Sequence, residues 1–265
     1  MAVNMKGKDL ISINDLTLEE IYEIFDVAKT LKEDLYIGRP HKVLEGKTLG
    51  MIFTKPSTRT RISFETGIYQ LGGIGMYFGP NDLQLGKSES VADTAQVLSR
   101  YLSGIMIRTF AHSDVTELAK YSKIPVINGL TDLLHPCQVL TDLFTILEKR
   151  RNLRGLKFAY IGDGNNMAHS ILNGCSKVGM DVFISSPSGY KPQEQIVNDA
   201  LANAKYMGSK VVITEDPIEA VKDADVVYTD VWASMGQEAE AIERKAKFIK
   251  YQVNPELVKH AKDDY

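Results

Sequence analysis

Short apolar runs alternate with longer amphipathic segments along nearly the whole chain, and this alternation constrains the fold more than any other feature. Such runs stand at residues 49–53, 75–78, 104–108 and 126–128, and again at 157–161, 182–185, 210–214 and 225–229. Helical patterns cover 60–71, 90–102, 113–121 and 135–150 in the first series, and 166–178, 192–207 and 217–222 in the second. A helix over 17–35 precedes the first series, and helices over 237–250 and 255–262 close the second. Strands alternating with helices predict parallel sheets joined by right-handed crossovers. The expected fold class is therefore α/β with two lobes, each a mainly parallel sheet flanked by helices. The charged stretch 148–154 separates the series, giving domains 1–150 and 151–265. Open sheets of this kind bind ligands beyond the carboxyl ends of their strands, so the site is expected in the cleft between the lobes.

At 265 residues the chain can bury a sizeable core without disulfides or metals. A formal net charge of −3 argues against a general nucleic-acid binder, so any anion site must be local. Cys137 and Cys175 form no CxxC pair and no zinc-spaced cluster, which fits a reducing compartment. No apolar stretch approaches the roughly 20 residues of a membrane span, and residues 1–10 carry lysines without a signal core. The expectation is a cytoplasmic protein with no membrane or nucleic-acid partner.

The apolar run 49–53 leads through Thr54-Lys55-Pro56 into Ser57-Thr58-Arg59-Thr60-Arg61 and then a helix. A helix start offers free N–H groups and a positive dipole end, which bind anions. Ser57, Thr58 and Thr60 add hydroxyl donors, and Arg59 adds a planar fork that matches phosphate oxygens. Arg59 reads as the phosphate fork and Arg61 as a structural arginine; a capped helix with solvated arginines is the alternative. The polar segment 81–90 carries Gln84, Lys87 and Ser88, which suit either an anion or a solvent loop.

Arg108 ends an apolar strand and reads as either a cleft-facing charge or a partnered structural arginine. His135-Pro136-Cys137-Gln138 opens the long helix. Pro136 suits the first helical position, which leaves His135 and Gln138 at one end as hydrogen-bond donors or, for His135, a capping or core residue. Cys137 reads as packing rather than a nucleophile. Gly162-Asp163-Gly164-Asn165-Asn166-Met167 begins like a dinucleotide fingerprint, but Met167 replaces the third glycine and Ser185-Ser186 replaces the ribose-binding acid. Nicotinamide binding is therefore not expected. Asp230 ends the strand at 225–229 and precedes Ser234-Met235-Gly236; an acid, a hydroxyl and a glycine turn suit an amino group and a carboxylate, while Ser234 with Gln237 also fits a capping box. The charged run 238–250 reads as a solvated helix face.

Together these segments resemble the transcarbamylases. Phe53-x-x-Pro56-Ser57-Thr58-Arg59-Thr60-Arg61-x-Ser63-Phe64-Glu65 is similar to their carbamoyl phosphate motif, and His135-Pro136-Cys137-Gln138 to their HPxQ motif. Residues 162–167, with Asp230 and Ser234-Met235-Gly236, resemble the amino-acid motifs of the ornithine carbamoyltransferases rather than those of the aspartate or putrescine members. The resemblance implies carbamoyl transfer from carbamoyl phosphate to the side-chain amine of L-ornithine, giving L-citrulline and phosphate, as in arginine biosynthesis. Ser57, Thr58, Arg59 and Thr60 would hold the phosphate, with Pro136 and Cys137 beside it and Gln84 reaching the neighbouring subunit of a homotrimer. Thr60, Arg108, His135 and Gln138 would polarise the carbonyl. Asn166, Asp230, Ser234 and Met235 would hold ornithine. No metal or organic cofactor is implied.

The family also carries a further strand and an HCLP segment after the equivalent of Asp263-Asp264-Tyr265, and a last helix; none occurs in this sequence. The ornithine-binding domain is therefore expected to be C-terminally incomplete, with an unpaired edge to its sheet. A carbamoyl phosphate-binding chain without turnover, or transfer to another amine such as putrescine, is the alternative expectation.

Overall fold

The computed structural model describes residues 3–83, 89–233 and 240–265. By its internal contacts the chain divides into two compact units, Met1–Cys137 and Gln138–Tyr265. The expected boundary near residue 150 lies at the far end of the helix in whose first turn this division falls.

In the first unit, α1 (Leu18–Tyr36) starts with a reciprocal cap. Thr17 Oγ1 accepts from the Glu20 amide at 3.2 Å, and the Glu20 carboxylate accepts from the Thr17 amide at 2.8 Å. Strands β1 (Thr48–Phe53), β2 (Ile74–Phe78), β3 (Gly104–Arg108) and β4 (Val126–Leu130) form one parallel sheet in the order β2-β1-β3-β4. Between them run α2 (Thr58–Gln70), α3 (Val91–Tyr101) and α4 (His112–Tyr121). Side chains alternate across a strand, so each strand serves two cores. Ile52, Ile105 and Ile107 pack with Ala95, Leu98, Val115 and Leu118 on one face. Met51, Phe53 and Met106 pack with Phe64 and Tyr77 on the other.

The second unit carries most of α5 (Pro136–Arg150), which begins at the end of the first. Strands β5 (Lys157–Ile161), β6 (Asp181–Ser185), β7 (Val211–Thr214) and β8 (Val226–Tyr228) form a second parallel sheet, ordered β7-β6-β5-β8. Helices α6 (Asn166–Val178), α7 (Glu194–Met207) and α8 (Pro217–Val221) alternate with them, followed by α9 (Ala241–Phe248) and α10 (Pro255–Val258). Ala159 and Ile161 pack on Ala220, Val221, Phe248 and Leu257. On the opposite face of β5, Phe158 and Tyr160 stack against Tyr228.

The α/β class with two mainly parallel sheets is as expected. Most element boundaries shift by a residue or more, and three of these shifts bear on the site or the chain's end. Helix α2 starts at Thr58, not Thr60, because the Ser57 hydroxyl caps it. Strand β4 runs on to Leu130 beside Arg108 of β3. The last helix ends at Val258, before the residue 262 expected, after a start capped by Asn254. Among the described residues no helix is long and apolar enough to cross a membrane.

Candidate active site

The carboxyl ends of β1 and β3 lie side by side, with Phe53 opposite Arg108. The loop leaving β1 is fastened to that partner. The amides of Thr54 and Lys55 both donate to the Arg108 carbonyl, at 3.0 and 3.4 Å. Thr54 Oγ1 donates to Thr109 Oγ1 at 2.8 Å, and Thr109 passes the chain on to Asp114 at 3.1 Å. Lys55 is buried, bonded to Asp132 at 3.0 Å and lying 4.8 Å from the Phe110 ring centre. These tethers, which the sequence reading did not single out, give Ser57 and the start of α2 a defined place.

At that start Ser57 Oγ accepts from the Thr60 amide at 3.3 Å and donates to Thr60 Oγ1 at 3.0 Å. Arg108 Nη1 donates to the same Thr60 hydroxyl at 3.4 Å. Ser57, Thr60 and Arg108 are thus brought together, with Thr58 and Arg59 in the first turn of the helix. Arg59 is exposed and, among the described residues, makes no hydrogen bond or ion pair. Arg61 differs: it bonds Glu65 at 3.1 Å and covers the Tyr77 ring at 3.9 Å, so its guanidinium is already occupied.

Among the described residues no carboxylate bonds Ser57, Thr60 or Arg108. Arg108 is only 6% exposed, and among the described residues its Nε has no hydrogen-bond partner. Burial first, and then the charge of Arg59, lower its pKa. His135 precedes α5; burial, with the Arg108 charge behind it, pushes its imidazole down to about 3, so it is neutral at ordinary pH. A neutral imidazole beside a buried guanidinium is a polar surface that welcomes an anion. Cys137 donates to the Asn128 carbonyl at 3.4 Å, and burial pushes its thiol up to about 12, which suits packing and not nucleophilic attack. Gln138 donates through Nε2 to Asp142 Oδ1 at 3.0 Å.

In the second unit the turn after β5 is built from its glycines. Gly162 takes φ +155°, and a Cβ on Gly164 would stand 2.3 Å from the Pro192 nitrogen. Asn165 caps α6, accepting from Met167 and Ala168 at 2.9 and 3.4 Å, while among the described residues its buried Nδ2 has no partner. Asn166 follows as the first residue of the helix. Asp163 is turned away to bond Arg244 at 2.8 Å. Arg244 also takes Glu240 at 2.9 Å and the Trp232 carbonyl at 3.2 Å. The reading of 238–250 as a solvated face holds at Glu240, Glu243, Lys245, Lys247 and Lys250, which are exposed, and fails at Arg244, which is buried against an acid 81 residues away. Asp230 lies just beyond β8; among the described residues it makes no hydrogen bond or ion pair. Its negative charge helps raise the pKa values of Tyr160 and Tyr228, after the larger effect of their burial. Gln84, Lys87, Ser88, Ser234 and Met235 lie outside the described residues.

Residues 8–148 match the family model "Aspartate/ornithine carbamoyltransferase, carbamoyl-P binding domain", and residues 154–265 match "Aspartate/ornithine carbamoyltransferase, Asp/Orn binding domain". The ornithine carbamoyltransferase of Thermococcus kodakarensis is 57% identical over the whole chain, which spans 84% of that relative. The anabolic ornithine carbamoyltransferase of Pyrococcus furiosus is 54% identical, again over the whole chain and 84% of the relative. The solved structure of the Pyrococcus furiosus enzyme superposes with a TM-score of 0.97, covering 99% of this chain and 84% of that one.

Proposed function

The chain belongs to the aspartate/ornithine carbamoyltransferase family, and we propose that it transfers the carbamoyl group of carbamoyl phosphate to the side-chain amine of L-ornithine, releasing L-citrulline and phosphate. One observation carries the carbamoyl phosphate half: the start of α2 and the end of β3 present Ser57, Thr60 and Arg108 in one hydrogen-bonded group that, among the described residues, no carboxylate bonds. Relatives at 54–57% identity, named for ornithine, support the acceptor.

In this reading Ser57, Thr58, Arg59 and Thr60 bind the phosphate through hydroxyls, the free N–H groups of the first helical turn and the Arg59 fork. Pro136 and Cys137 line the carbamoyl phosphate, and Gln84 arrives from a neighbouring subunit of a homotrimer. Residues 1–150 hold this substrate and 151–265 hold ornithine, through Asn166, Asp230, Ser234 and Met235. Asp230 offers its charge to an ammonium group. The protein acts in the cytoplasm, in arginine biosynthesis.

The reaction asks for positioning and charge stabilisation. The ornithine side-chain nitrogen gives its lone pair to the carbamoyl carbon, forming the new C–N bond. Negative charge collects on the carbonyl oxygen, where Thr60, Arg108, His135 and Gln138 stabilise it. The C–O bond to phosphate then breaks, phosphate leaves with the electron pair, and the nitrogen loses its proton. A neutral His135 can donate one N–H to that oxygen without adding a second full charge beside Arg108. The attacking amine, by analogy with lysine, rests near a pKa of about 10.4, so it must be deprotonated before attack.

A second reading, binding of carbamoyl phosphate without turnover, is separated by one paired experiment. The protein is titrated calorimetrically with carbamoyl phosphate and assayed in parallel for citrulline. Binding with turnover supports transfer; binding without turnover selects the second reading; neither removes both.

A further inference from the structure

We propose that Asp142 is a positioning residue that fixes the side-chain amide of Gln138, holding one N–H of its nitrogen end so that the other N–H stays directed at the carbamoyl oxygen. This rests on the reading of Gln138 as a substrate contact. The two residues lie four apart on α5, so their side chains meet on one helix face. Gln138 Nε2 donates to Asp142 Oδ1 at 3.0 Å. An ionised carboxylate only accepts, so the nitrogen end of the amide must face it, and the second N–H is left for the substrate.

The surroundings of Asp142 argue that its carboxylate is kept for this purpose. It is half-buried, and no cation is among the groups that shift its pKa. Tyr228 from β8 and Asp230 beyond it face the carboxyl, and Cys175 of α6 lies close enough to feel its charge. Burial raises its pKa, against the hydrogen bond from Gln138, and among the described residues its buried Oδ2 has no hydrogen-bond partner. A carboxylate sunk among a second acid and neutral groups, with no cation beside it among the described residues, costs stability. An asparagine would fill the same space at lower cost, but it could present either end to Gln138 and would leave the amide free to turn over.

The test uses Asp142→Asn, alone and on a Gln138→Ala background. Its probes are phosphonoacetamide, which carries both a phosphonate and an amide, and inorganic phosphate, which carries no amide. Asp142→Asn is expected to weaken phosphonoacetamide about tenfold, the worth of one ordered hydrogen bond, while phosphate affinity stays within about twofold on the same scale. On the Gln138→Ala background it should cost nothing further, because its effect passes through Gln138. Asp142→Glu, which keeps an acceptor-only group, should retain more of the preference than the asparagine variant. Equal losses for both probes, or the same loss on both backgrounds, would overturn the proposal. If Gln138→Ala leaves phosphonoacetamide binding unchanged, the proposal also falls, and the fault then lies in the role given to Gln138.

Discussion

Arg108 and His135 are two groups able to carry positive charge, and the protein keeps only one of them charged. The depressed pKa of His135 has a consequence for stability. An unfolded histidine takes up a proton near pH 6.5, whereas the folded one resists down to about 3. Its contribution to stability is therefore complete above pH 6.5. It is lost as pH falls from there through about 3, at about 1.4 kcal/mol per pH unit. Urea unfolding of the wild type and of His135→Asn between pH 7 and 4 checks this: the variant should lose the extra slope, and parallel curves would refute it. The two arginines of α2 give a second contrast. Arg59→Ala should weaken carbamoyl phosphate about 10- to 100-fold, the worth of charged hydrogen bonds to phosphate. Arg61→Ala removes the Glu65 pair and the Tyr77 contact, so it should cost up to about 1 kcal/mol of stability and little affinity. Calorimetric titration and thermal melts separate the two, and similar affinities for both variants would contradict the assignment.

At the level of elements, the site depends on how strands hand over to helices. Gly164→Ala would push a Cβ into the Pro192 backbone, which cannot move as a flexible side chain can. A stability loss of about 1–3 kcal/mol is expected from such overpacking, with ornithine binding weakened more than carbamoyl phosphate binding. Denaturant melts and substrate titrations of the variant check both; an unchanged melting curve would refute the contact. The eight strands were legible in the sequence because each is a short apolar run with a helical pattern after it. The end of β3 and the start of α5 were legible because an arginine closes an apolar run and a proline stands at the first helical position, and the start of α2 was placed within two residues by its hydroxyls and arginines. What escaped depended on distance. Nothing near Arg244 in a run of mixed charge marks it as buried, since its partner Asp163 lies on another element. Lys55 reads as an ordinary loop lysine until Asp132 and Phe110 are brought beside it. Asp142, four residues after Gln138, looks like any polar helix position until its burial is known.

On the scale of the whole molecule, two parallel sheets carry two kinds of side chain at their carboxyl ends, Arg108 beside the start of α2 in the first unit and an acid, Asp230, just beyond β8 in the second. If Gln84 serves a neighbouring subunit, sites are shared between chains. Arg59→Ala and Gln84→Ala proteins, each impaired alone, should then regain activity when refolded together, because some mixed sites draw both intact residues from different subunits. No gain on mixing would contradict a shared site. The choice of amine is the most direct test of the proposed transfer. The protein would be given ¹³C-labelled carbamoyl phosphate with equal concentrations of ornithine, putrescine and aspartate, and the carbamoylated products followed by NMR. The expected result is label in citrulline, with little in the other two products. Label chiefly in carbamoyl putrescine or carbamoyl aspartate would contradict the assignment of ornithine as the acceptor.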